Sequence, residues 1–245
     1  MFWKRPESMG WGNVVMCLSH LVAQHGHVSV HSSILDVDRG VDFCNLIEFV
    51  DEETEPVGDP KILINPYFYQ NIHPNISKIV KPSSEVQLLI DKYQHLVEGV
   101  VRGIHIRRGA YSVDSERVGC HGKDAEGNII PAYFADDAAL KKFERIVEKS
   151  PGPVFIASDS KEVKEYFVKK YPDVRVYDTE IVVTYNCAFL KNDEVSKLDR
   201  LNCYVEWFLL SQCPKLYITG GTNAISTFGY SAGCYGLKEI EIINN

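Results

Sequence analysis

From about residue 100 onward, short apolar runs alternate with stretches of helical spacing. Residues 100–106 are apolar and β-branched, the pattern of a buried strand. A second such run, Pro-Val-Phe-Ile-Ala, covers 153–157. Helical spacing follows over 161–171 through Val163, Phe167 and Val168. Asp159 is the expected N-cap of that helix, with Glu162 completing a capping box. Further strands are predicted over 174–177, 215–219 and 239–243. Between them come a helix over 196–212, with Leu198, Leu201, Val205, Phe208 and Leu209 on one stripe, and a short helix over 225–233. Strands that alternate with helices pair in parallel, giving a doubly wound sheet that binds ligands at its carboxyl edge.

The first hundred residues are less regular. Gly10-Trp11-Gly12-Asn13 opens a helix reaching about residue 25, and strands are expected over 28–31 and 62–64. Pro56, Pro60, Pro66, Pro74 and Pro82 punctuate the remainder. A helix over 84–98 leads into the second unit. Two units are therefore expected, 1–98 and 99–245, with no internal repeat and no low-complexity segment.

Composition narrows the function. At 45% hydrophobic and 24% charged residues, the chain has the balance of a globular protein. The net charge is −7, and residues 1–100 hold 7 Lys/Arg against 13 Asp/Glu. Neither half has the basic surplus that a phosphate backbone demands, so nucleic acid is not an expected partner. The seven cysteines are scattered without CxxC spacing, which gives no support to a zinc or redox motif and suits reduced, buried thiols. No apolar run has the length of a membrane span, and the N-terminus lacks the apolar core of a signal peptide, so a cytoplasmic location is expected.

Four segments carry candidate chemistry. In Gly103-Ile-His-Ile-Arg-Arg-Gly109 a strand places His105 and Arg107 on one face, with Arg108 at or past its end. An arginine fork matches phosphate oxygens and stays charged, although two such arginines can equally serve surface ion pairs. Asp159 ends a strand, where it either caps the next helix or accepts hydrogen bonds from a nucleotide. Thr219-Gly-Gly-Thr-Asn-Ala-Ile-Ser-Thr-Phe-Gly229 runs from a strand into a hydroxyl-rich helix start. Such a turn is an anion site, with Ser226 and Thr227 as further donors, or a plain connection. Gly10-x-Gly12-Asn13 permits close approach by a ligand or a facing unit, or is a simple helix entry. Asp36-Val-Asp38 lacks supporting carboxylates, and no metal site is expected. Trp207 and Phe208 read as core or interface residues.

In this order, GxGN, HxRRG, a strand ending in Ser-Asp, and Ser226-Thr-Phe-Gly-Tyr-Ser-Ala-Gly233 resemble the GT-B fucosyltransferases, which comprise the α1,2, α1,6 and protein O-fucosyltransferase families. The likeness spans about 130 residues in ordered motifs. The resemblance implies an α/β, GT-B-like fold of two Rossmann-like units facing a cleft, the N-terminal one reduced. It also implies an inverting, metal-independent enzyme without a cofactor. Such an enzyme moves L-fucose from GDP-fucose, its nucleotide-sugar partner, to a glycan or glycopeptide acceptor. Arg107 would bind the β-phosphate, with His105 and Arg108 at the nucleotide and Asp159 facing base or ribose. Ser226, Thr227 and Phe228 would cradle the diphosphate, and Gly10, Gly12 and Asn13 would approach from the other unit.

Two features depart from that pattern. Ala110 stands where related motifs carry an acid, and the few residues before the glycine turn leave little room for a first strand. Asp114 and Glu116, in the loop after the arginines, are the candidate catalytic bases, Asp114 the preferred one. The polar stretch 121–128 is expected to be a mobile loop. Another nucleotide-sugar donor, or a non-catalytic binding descendant, are the alternatives.

Overall fold

The computed structural model describes residues 2–4, 10–32, 40–51, 76–108, 122–123, 129–130, 135–178, 197–221 and 225–245. The N-terminal unit holds β1 (Phe2–Trp3), α1 (Trp11–His25), β2 (Val28–His31), β3 (Val41–Phe43) and β4 (Ile47–Val50). After these come α2 (Ile76–Ile79), β5 (Val80–Pro82) and α3 (Ser84–Tyr93), which ends in a 3₁₀ turn, Gln94–Leu96. Strands β1, β2 and β4 form a parallel sheet, whereas β3 pairs antiparallel with β5. A first strand therefore does fit ahead of the glycine turn, as two residues pairing with Ser29 and Val30. Helix α1 stops at Gly26, whose φ of 72° places it in the left-handed region while its N–H donates to Val22 O. The predicted 62–64 strand and Asp36-Val-Asp38 lie outside the described residues.

The C-terminal unit contains β6 (Arg102–Ile106), β7 (Gly122–Lys123), β8 (Ile129–Ile130), α4 (Asp137–Glu148), β9 (Val154–Ser158) and α5 (Lys161–Lys170). It continues with β10 (Val174–Val176), α6 (Lys197–Gln212), β11 (Lys215–Thr219), α7 (Thr227–Tyr235) and β12 (Glu239–Ile243). Five strands make one wholly parallel sheet in the order β10-β9-β6-β11-β12. The chain leaves β6 toward β9 and β10, then crosses back to β11 and β12. The order reverses between β6 and β11, the kind of switch point at whose carboxyl ends such sheets bind ligands. The stretch expected as a mobile loop is bracketed by antiparallel pairing of β7 with β8, Gly122 opposite Ile130.

Alternation along the strands sorts side chains to two faces. Ile104, Ile106, Val154, Ile156 and Tyr217 join Phe143 and Val147 of α4 and Phe167 of α5 in one core cluster. Phe155, Ala157, Leu216 and Ile218 join Trp11, Val14, Val15 and Leu18 of α1, and Val205, Trp207 and Leu209 of α6, in the other. This second cluster includes residues on both sides of position 99. Each fully buried aromatic here contributes roughly 1.5–3 kcal/mol. Helix α6 was expected to show a single stripe. Instead Asn202, Tyr204, Glu206 and Leu210 are buried too, and Trp207 and Phe208 are core residues as expected, because the helix lies between the sheet, α3 and α7. Helix α4 was not among the expected elements, and neither were β3, β4 and β5. No described helix is long and apolar enough to cross a membrane.

Candidate active site at the strand switch point

Thr219, the last residue of β11, ties the two central strands together. Its Oγ1 donates to His105 O at 3.1 Å and accepts from Arg107 N at 3.0 Å. Its carbonyl accepts from Ser226 N at 2.9 Å, just before α7 begins. One buried residue therefore fixes the backbone of Arg107 and the start of the 226–228 turn against each other. Ser226 is the N-cap, yet its side chain caps nothing. Its Oγ is buried and has no hydrogen-bond partner among the described residues. Leaving a hydroxyl so placed costs free energy. Thr227 and Phe228 are half-buried.

The glycine turn of α1 meets that same place. A Cβ on Gly12 would lie 2.5 Å from both Phe228 N and Thr227 O, so only glycine lets the two backbones approach. Gly10 caps α1 without a side chain, its carbonyl accepting from Val14 N, and Asn13 is half-buried in the first turn. Two helix N-termini, each carrying partial positive charge, thus stand side by side.

His105 lies beneath them, 3% exposed, its ring 5.1 Å from that of Phe228 and packed on Gly229. Burial, and then the charges of Arg107 and Lys164, push its pKa down to about 3. It is a neutral imidazole at any working pH, and its Nδ1 has no partner among the described residues.

The two arginines part company. Arg107 is half-buried, with Nε 3.9 Å from Asp159 Oδ2. The Arg108 guanidinium donates to Ala135 O at 2.7 Å and reaches Asp137 Oδ1 at 2.5 Å, at the start of α4. Its backbone N–H donates to Asp159 Oδ1 at 2.7 Å. Asp159 is therefore not the cap of α5; Ser160 is, accepting from Val163 N. The carboxylate one position earlier is held by the end of β6 instead. Asp114, Glu116 and Ala110 lie outside the described residues.

Sequence reasoning missed the bridging role of Thr219 and also a buried ion pair behind the strand ends, Lys164 with Glu206. The signal for the latter was a carboxylate inside the apolar run Val205-Glu-Trp-Phe208. Among the described residues no group of three or more His, Cys, Asp or Glu could hold a metal ion.

A wholly parallel sheet with a switch point, joined to a smaller parallel unit, defines an α/β, GT-B-like fold. The solved structures most informative about it are those of NodZ. The chain superposes on NodZ α-1,6-fucosyltransferase co-crystallized with GDP at a TM-score of 0.56 and 13% identity, covering 95% of this chain and 90% of that one. For selenomethionine NodZ from Bradyrhizobium the values are 0.53, 13%, 95% and 90%. For NodZ soaked with GDP-fucose they are 0.52, 14%, 96% and 91%. No protein-family model matches the sequence, and no curated protein does. At these identities the likeness is one of fold.

Proposed function

We propose that the protein is an inverting, metal-independent glycosyltransferase that moves L-fucose from GDP-fucose to a hydroxyl of a glycan or glycopeptide. One observation carries this reading: Thr219 holds Arg107 and the Ser226 turn together at the point where strand order reverses. The NodZ structures, crystallised with GDP or soaked with GDP-fucose, share the fold and support the choice of donor.

In the reaction, the acceptor oxygen forms a bond to the anomeric carbon from the face opposite the diphosphate. The bond from that carbon to the diphosphate oxygen breaks, and GDP leaves with the electron pair. The acceptor proton passes to a base, for which Asp114 and Glu116 are the sequence candidates. Negative charge grows on the departing oxygen. Arg107, the N–H groups of the α7 first turn and the Ser226 hydroxyl are preorganised donors for that charge, and they act without reorganising at the moment of transfer. Neutral His105 and Asp159 offer polar contacts to the nucleoside, and Gly12 brings the start of α1 alongside.

A thermal-shift screen of nucleotides tests the donor, since a ligand stabilises by mass action. GDP and GDP-fucose are expected to raise the midpoint, with UDP and ADP ineffective. GDP release from GDP-fucose in the presence of EDTA, across an acceptor panel, tests transfer. Stabilisation by UDP alone, or activity abolished by EDTA, would contradict the proposal.

A further inference from the structure

Lys164 and Glu206 are ionic groups in a dry environment. Lys164 Nζ stands 2.5 Å from Glu206 Oε1, with side chains 5% and 2% exposed, and donates to Tyr177 O at 3.0 Å. Withdrawing two such ions from water costs several kcal/mol each, so the pair persists only through close geometry and extra hydrogen bonds. Glu206 has one, to the Ser158 backbone. Ser158 is pinned in turn, its Oγ donating to Ile106 O at 2.7 Å. The next residue is Asp159, which holds Arg108 N and faces Arg107. Contacts therefore run without a gap from the buried ammonium to the arginine at the strand switch point.

We propose that Lys164 is a positioning residue of the nucleotide site: it pairs with and fixes the Glu206 side chain behind Ser158, so that Asp159 and Arg107 hold the placement that receives a diphosphate. The inference deepens the reading above and rests on it. Charged and titratable groups face Glu206 from three neighbouring elements. Lys164 comes from α5, Asp159 from the end of β9 and Tyr177 from the end of β10. The Lys164 charge is also felt at His105 on β6. Burial raises the Glu206 pKa, and Lys164 is the main influence drawing it back. Without Lys164, a lone buried carboxylate would stand beside Asp159 and take up a proton nearer neutrality. With its folded pKa above its unfolded one, such a group leaves the fold stable at low pH and costs stability as pH rises between the two values.

Four proteins test this: wild type, K164R, K164M and K164M/E206Q. Unfolding midpoints of the ligand-free proteins are followed with pH. GDP affinity is measured by calorimetry at about pH 7 and about pH 9, above the second ionisation of a terminal phosphate. K164M is expected to lose thermal stability relative to wild type as pH rises. It should also lose GDP affinity about tenfold across that range, the scale of one pKa unit. K164R and K164M/E206Q should follow the wild-type profiles. Parallel profiles for K164M and wild type would overturn the proposal, as would a double variant that behaves like K164M. If K164M gives no folded protein, its recovery by E206Q supports the role and failure to recover contradicts it. Absence of GDP binding by wild type would overturn the nucleotide reading and this inference with it. The ligand-free profiles would still report the charge coupling between Lys164 and Glu206.

Discussion

On one side of the candidate site, the carboxyl edge of β6, β9 and β11 works through side chains: His105, Arg107, Asp159 and Thr219, each tied to a neighbour. On the other side, α1 meets the 227–228 backbone at Gly12, with Gly10 as its cap. The first surface is chemically rich and tolerates small shifts, because a guanidinium can pivot. The second has no such latitude, because its fit is steric. Substitutions should separate the two modes of construction.

The largest effect is expected at Gly12. Gly12→Val places a side chain against the backbone of Thr227 and Phe228, where neither partner can yield. A loss of about 3 kcal/mol in urea unfolding is expected. Gly26→Ala is the contrasting case. Nothing lies near its Cβ, and only the φ of 72° opposes the change, so about 1 kcal/mol is expected. Equal losses at the two positions would remove the steric argument.

His105 comes next, through pH. Its pKa is depressed in the fold, so its contribution is complete above the unfolded value of about 6.5 and is lost on acidification toward about 3. Roughly 1.4 kcal/mol should disappear per pH unit in that window. His105→Gln, which does not titrate, should flatten this part of the midpoint-against-pH curve. An unchanged curve would mean that acid unfolding is set elsewhere.

Thr219→Val keeps the shape and removes the bridge. Arg107 N then lacks its acceptor, which should cost about 1–3 kcal/mol and weaken GDP binding together with stability. The smallest effect belongs to the sheet edge. Lys215 pairs with the exposed Glu239 and Glu241, and Lys215→Ala should leave the unfolding midpoint unmoved.

The central strands β9 and β11 were legible because both their faces are covered, which leaves largely apolar runs in the sequence. Strands β3, β4 and β5 were not: Asp42, Glu48 and Lys81 interrupt their few apolar positions. Helix α4 was overlooked even though Ala139, Phe143 and Val147 recur at helical spacing behind the Asp136 cap. At the candidate site, Arg107 and the 226–228 turn were singled out by motif, and Arg108 was grouped with them. Only the fold shows its guanidinium committed to the start of α4. Asp159 and Ser160 are adjacent and both are good caps. Which one caps goes with a long-range contact, the backbone N–H of Arg108 donating to Asp159 past the end of β6. The bridging role of Thr219 was invisible for a similar reason, because its partners lie more than a hundred residues away.

The most direct measurement is calorimetric titration of GDP into wild type and Arg107→Ala. The backbone N–H of Arg107 keeps its bond to Thr219 in the variant, which should therefore keep its fold. Its GDP affinity should fall at least about tenfold, as expected for loss of a charged donor to phosphate. Equal affinity in the two proteins, or no binding by wild type, would contradict a guanidinium at the strand switch point serving as the diphosphate anchor.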